Sequence, residues 1–269
     1  MSVEDAAAGC ETVNATVGDR IQHVATIELC RPDARNALNA QLRTELKDVL
    51  DAVEESDVRV VVLTGAEDTG AFVAGADVKE LRERDMLAQR EASKRPRVYE
   101  RVDDCPVPVI ARINGHALGG GCELIQACDV RIAHEEAKIG QPEINLGIMP
   151  GGGGTQRLPR LVGEGHAMRL ILSGELIDAE EAADIGLVDE VHGEDSFDES
   201  VYELAGSMAA KSPVALEFAK KSVKAASRMD LEAGIEYEAE LFSKLFGTGE
   251  KNEGIDAFLE DRDPEWNDD

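Results

Sequence analysis

An α/β core followed by an all-helical C-terminal segment is the fold class the sequence predicts, and three observations predict it. Residues 58–63 and 107–113 are continuous apolar runs rich in Val and Ile, as in strands covered on both faces of a parallel sheet. Segments of helical period separate the strand-like runs as far as residue 133, which is a βαβ-type alternation. Beyond Gly154 the pattern turns helical.

Residues 1–12 read as a loose acidic tail, 13–195 as the α/β core and 196–269 as a helical region. Residues 13–17 and 21–29 alternate as paired strands around the turn Gly18-Asp19, and Arg31-Pro32-Asp33 ends that pattern. Leu42, Leu46, Val49, Leu50 and Val53 then share one helical face. The run 58–63 is closed by Gly65, and the short, small-residued stretch 71–76 leads into a charged helix beginning near Asp77. Pro106 and Pro108 stand at the entry of the next strand, where a missing donor costs least. Gly119-Gly120-Gly121 opens a helix to about Cys128, and 130–133 is again strand-like. Asp178 to Glu181 matches a capping box, and Ser212-Pro213 is an N-cap followed by proline at the first helical position. Helices over 214–226, 231–246 and 250–260 complete the chain.

Composition narrows the function. The 269 residues carry 55 Asp+Glu against 28 Lys+Arg, a formal net charge of −27. That sign opposes binding to a phosphate backbone or an anionic membrane, and 4% aromatic residues leave little for stacking on single strands. With 10 Lys against 18 Arg, the acidic balance fits a protein working in concentrated salt, where screening is short, the alternative being an acidic protein of an ordinary cytoplasm. The five cysteines are odd in number and contain no CxxC pair, which fits a reducing cytoplasm and neither a disulfide framework nor a zinc ribbon. No secretory signal and no apolar run of about 18–20 residues is visible, so a soluble cytoplasmic protein without a membrane partner is expected.

The chemistry concentrates in two stretches. In a chain that is 31% charged, residues 113–128 carry one charge, Glu123, and residues 139–156 carry one, Glu143. A carboxylate kept in an apolar, Gly-rich setting has its pKa raised toward the range useful for proton transfer. The competing reading is that each is a buried ion pair with Arg112, Arg131 or Arg157. Gly119 to Gly121 precede Glu123 at a helix start, where free N–H groups can hold a phosphate or an oxyanion; a tight packing turn would use the same residues. His116, alone beside this turn, reads as structural. GxGxxG, Walker A, GxSxG and HExxH patterns are absent.

The segments AFVAGAD (71–77), NGHALGGGCEL (114–124), GQPEINLG (140–147), PGGGGTQR (150–157) and EGIDAFLE (253–260) together resemble the enoyl-CoA hydratase (crotonase) family over nearly the whole chain. The resemblance implies a spiral of ββα units followed by a helical trimerisation region. It implies an oxyanion hole from the backbone N–H groups of Ala76 and Gly120, and substrate contacts at Ala74, Gly75, Asp77, Gly119 and Gly151. It also implies addition of water across C2=C3 of a trans-2-enoyl-CoA, as in fatty acid β-oxidation, with Glu123 activating water and Glu143 protonating C2. Members that only shift a double bond often lack one of the two glutamates, so their joint presence favours hydration. Isomerisation, dehydration of a 3-hydroxyacyl-CoA and an RNA-binding role are the alternatives the family offers. Coenzyme A would be the carrier of the substrate, with no metal or redox cofactor, and the assembly a homotrimer or a dimer of trimers. One departure is Glu260-Asp-Arg-Asp263, where a basic run often stands.

Overall fold

The apolar run ending at Gly65 becomes a strand with no wet face, and covering it dictates much of the architecture. The computed structural model describes residues 1–266. From the amino end, α1 (Val3–Ala8) leads into the antiparallel pair β1 (Val13–Val17) and β2 (Val24–Leu29). Helix α2 (Ala40–Glu54) returns the chain to β3 (Val60–Gly65), and β4 (Ala71–Val73) precedes α3 (Val78–Glu83), α4 (Met86–Ala92) and α5 (Val98–Asp103). Next come β5 (Val109–Ile113), β6 (His116–Leu118), α6 (Gly120–Ile125), β7 (Val130–His134) and β8 (Lys138–Gly140). The chain continues through α7 (Gly154–Ser173), β9 (Leu176–Asp178), α8 (Ala179–Asp184) and β10 (Glu190–His192). It ends with α9 (Phe197–Ala209), α10 (Pro213–Ala225), α11 (Leu231–Leu245) and α12 (Gly249–Glu260).

Six strands form one sheet in the order β1-β2-β3-β5-β7-β10, and β2 through β10 pair in parallel. On β3, Val61 and Leu63 face one apolar cluster while Val60 and Val62 face another, the two-residue period of a strand buried on both sides. Leu42, Leu46 and Leu50 of α2 fill the first cluster, and the Asn39 side chain caps that helix by accepting from Leu42 N–H at 2.8 Å. Phe197, Val201 and Ala205 of α9 fill the second. A smaller sheet runs β4-β6-β8-β9, with β4, β6 and β8 parallel and β9 antiparallel to β8.

The sheet-and-helix core and the helical C-terminal region agree with the predicted class. Residues 1–12, read as a loose tail, hold α1, capped by the Ser2 hydroxyl, with Val3, Ala6 and Ala7 buried against the core, because an acidic helix can still present one small apolar face. Every described element from 196 on is helical, but the first of these helices, α9, is a covering layer of the large sheet, and the helices outside the core are α10 to α12. The smaller sheet is new, since three-residue strands are too short to show a period. Ion pairs tie α10 to the core, with Lys220 Nζ 2.6 Å from Asp129 and Lys224 Nζ 2.6 Å from Asp103.

Candidate active site

Parallel strands end on one edge, and the smaller sheet uses that rule to converge three loops. Residues 74–76 follow β4, 119–123 follow β6 and 141–143 follow β8. They border a cavity of about 790 Å³ lined as well by apolar side chains that include Leu81, Met86, Leu146, Ile148 and Met149, and by the charged Arg43, Arg84 and Arg97. Of the residues singled out in the sequence, Ala74, Gly75, Ala76, Gly119, Gly120, Glu123, Glu143 and Gly151 line this cavity. Asp77 is not among its lining residues. Its carboxylate caps α3, accepting from Lys79 N–H at 3.0 Å, and pairs with Arg31 at 3.1 Å. Burial works against that charge, but the Arg31 hydrogen bond and the helix amides hold its pKa below the usual range.

Neither Ala76 nor Gly120 donates its N–H to a backbone carbonyl among the described residues. A β-carbon on Gly120 would stand 3.5 Å from Ala76 N, so the two free amides are neighbours. Gly119 makes the turn into α6 at φ +50°, a conformation side chains resist, and a β-carbon there would also meet Glu143 Oε1 at 3.3 Å. The absence of a side chain thus brings the amides and the Glu143 carboxyl to the same spot.

The two carboxyls are set differently. Glu123 is 3% exposed, and its Oε1 accepts from Gly152 N–H at 2.6 Å and Gly154 N–H at 2.9 Å. Burial raises its pKa, while those two amides and the charges of Arg97 and Arg157 restrain the rise. Glu143 lies on the turn after β8; burial, assisted by the charge on Glu123, pushes it up to about 7. The amide of fully buried Gln141 sits against both Glu143 oxygens; turned with its nitrogen toward them it would donate at 3.0 and 2.9 Å and accept from Gln126 Nε2 at 2.9 Å.

The ion-pair alternative for these glutamates does not hold. Arg112 pairs with Glu67 and Asp198, Arg131 with Asp189 and Arg157 with Asp103. His116 accepts from Lys138 N–H at 3.1 Å, a structural role. Sequence reasoning missed Tyr99, Gln141 and the amides of Gly152 and Gly154. The glycine run 151–154 was the available signal, but nothing local says that its amides point at a residue about thirty positions earlier.

The chain matches the enoyl-CoA hydratase/isomerase family over residues 19–269. It belongs to that family. It is 44% identical over 248 residues to the 2,3-dehydroadipyl-CoA hydratase of Escherichia coli K12, covering 92% of this chain and 96% of that protein. The short-chain-enoyl-CoA hydratase of Clostridium acetobutylicum is 39% identical over 252 residues, covering 93% and 96%. The crystal structure of the enoyl-CoA hydratase from Bacillus anthracis superposes with a TM-score of 0.89 at 40% identity, covering 95% of this chain and 99% of that one.

Proposed function

We propose that this family member is an enoyl-CoA hydratase, a carbon–oxygen lyase that adds water across C2=C3 of a trans-2-enoyl-CoA to give a 3-hydroxyacyl-CoA. The observation that carries the reading is the pair of carboxyls in opposed settings beside two free amides. Glu123 is held as an acceptor by Gly152 and Gly154, and Glu143 titrates near neutrality.

Glu123 takes a proton from water as the oxygen adds to C3. The C2=C3 electrons move toward the thioester, whose oxygen gathers negative charge between the N–H groups of Ala76 and Gly120. Protonated Glu143 delivers its proton to C2 as the enolate collapses. The net change is one water added; exchange with solvent then returns the proton from Glu123 and reloads Glu143. Carboxyls and water supply every proton, so the reaction as written calls for no metal or redox cofactor, and coenzyme A is the handle of the substrate. The apolar walls formed by Leu81, Met86, Leu146 and Ile148 suit an acyl chain.

The test is product analysis with crotonyl-CoA and with a 3-enoyl-CoA. Formation of 3-hydroxybutyryl-CoA from the first is expected; double-bond migration without hydration overturns the reading in favour of an isomerase.

The same reading includes assembly as a trimer or a dimer of trimers. Leu231, Phe242, Phe246, Phe258 and Leu259, on α11, its C-cap and α12, are 58–85% exposed, apolar surface that a monomer leaves wet. Phe258→Asp is expected to shift the mass measured by light scattering toward the monomer, and a wild-type monomer at micromolar concentration contradicts the proposal. Five free cysteines suit a reducing cytoplasm, and among the described residues no helix is long and apolar enough to cross a membrane.

A further inference from the structure

A second cleft of about 1040 Å³ adjoins the catalytic cavity, bounded by α5, α7 and α10. Arg97 lines both, and Gly153 faces the cleft while Gly151 and Gly152 face the cavity, so the loop holding Glu123 is the wall between them. Eight lining side chains of the cleft are cationic and three are carboxylates. Each carboxylate is already matched: Asp129 by Lys220 at 2.6 Å, Asp103 by Lys224 and Arg228 at 2.6 Å, and Glu100 by Arg97 at 2.5 Å. Outside the lining, Asp189 reaches Arg131 at 2.8 Å and Asp104 reaches Arg228 at 3.9 Å.

Counting also Glu123, whose charge faces Arg97 and Arg157 across that wall, a surplus of two positive charges remains in a chain whose net charge is −27. Arg160 carries part of it: its Nη1 donates to Gln156 O at 2.6 Å, and it has no carboxylate partner among the described residues. Guanidinium groups offer paired donors matched to oxyanions, and no aromatic ring lines the cleft to stack a nucleobase.

We propose that this cleft is a binding site for a phosphate-class oxyanion, separate from the acyl-CoA site. Nothing in the assignment depends on the hydratase reading except the competition arm below.

The test is calorimetric titration of the full chain with inorganic pyrophosphate at one fixed ionic strength set by potassium chloride. One pyrophosphate per chain is expected to bind. Arg160→Glu, a replacement at an exposed position, should weaken it by about tenfold or more. ADP, which carries the same diphosphate, should bind no more tightly than pyrophosphate, and saturating butyryl-CoA should leave the affinity unchanged. Absence of binding at millimolar pyrophosphate, or equal binding by Arg160→Glu, overturns the site. ADP binding tenfold tighter would make it a nucleotide pocket instead. Mutual exclusion with butyryl-CoA would place the anion where the phosphates of coenzyme A go. Should butyryl-CoA itself fail to bind, the hydratase reading fails while the pyrophosphate result stands on its own.

Discussion

Gly152→Ala isolates the part of the site that sequence patterns hid. A β-carbon there would stand 2.5 Å from Glu123 Oε2 and 2.5 Å from Cζ of the buried Tyr99 ring. Restoring an ordinary separation of about 3.5 Å requires the carboxylate, the ring or the loop to retreat by about 1 Å. The retreat also strains the 2.6 Å bond from Gly152 N–H that holds Glu123 as an acceptor. A misplacement of about 1 Å at a reacting group costs about 10²-fold in rate. Overpacking of a filled site adds about 1–3 kcal/mol of destabilisation, or a melting temperature several degrees lower. The assay is hydration of crotonyl-CoA, followed by loss of the absorbance of the conjugated thioester, with thermal melting on the same preparations. We expect kcat to fall about 100-fold with KM little changed, because the free amides of Ala76 and Gly120, proposed to hold the thioester oxygen, are untouched. Gly165→Ala on α7 is the control. A β-carbon there meets nothing within 4 Å, so its rate should match wild type while its stability rises by about 0.4–1 kcal/mol. Wild-type kcat in a folded Gly152→Ala protein would refute the argument that this loop positions Glu123.

Two further outcomes follow from charge. In the proposed role of acid Glu143 must be protonated, so kcat/KM should decline above pH about 7, and a profile flat from pH about 6 to about 9 contradicts that role. Its folded-state pKa lies above the ordinary 4.5, so the stability it contributes is present below 4.5 and is lost as pH rises through about 7. Glu143→Gln should therefore melt above wild type at pH about 8 and with it at pH about 4, and the reverse order contradicts the buried setting. Raising salt from about 0.1 M to about 1 M shortens the screening distance from about 10 to about 3 Å, which should raise the melting temperature of a chain with net charge −27. An unchanged melting temperature would remove the high-salt interpretation.

Much of the fold could be read from periodicity, and the reason is the strength of the signals involved. The strand around Val60 to Leu63 is apolar at every position because both faces are covered, and α2 shows a clean helical stripe because it packs on one. The carboxyls Glu123 and Glu143 stood out because the local sequence had been cleared of other charge. What escaped depends on contacts far apart in the chain. Strands β4, β6, β8 and β9 are three residues each, and only their pairing makes them a sheet. The tether of Glu123 to Gly152 and Gly154, and of Glu143 to Gln141, is written in geometry rather than spacing. Asp77 lies inside a strong motif, yet the contacts its carboxylate makes are with the helix after it and with Arg31.

The most direct test of the account is crotonyl-CoA hydration by Glu123→Gln, Glu143→Gln and the double variant, measured beside wild type with binding of butyryl-CoA determined for each. Both single variants should lose about 10²–10⁴-fold in kcat, one for want of a base and the other of an acid, while butyryl-CoA binding persists through the amides of Ala76 and Gly120. The double variant should be little slower than the slower single one, because the pair acts as a unit. Hydration at the wild-type rate by either single variant would contradict the assignment of these two carboxyls to the chemistry.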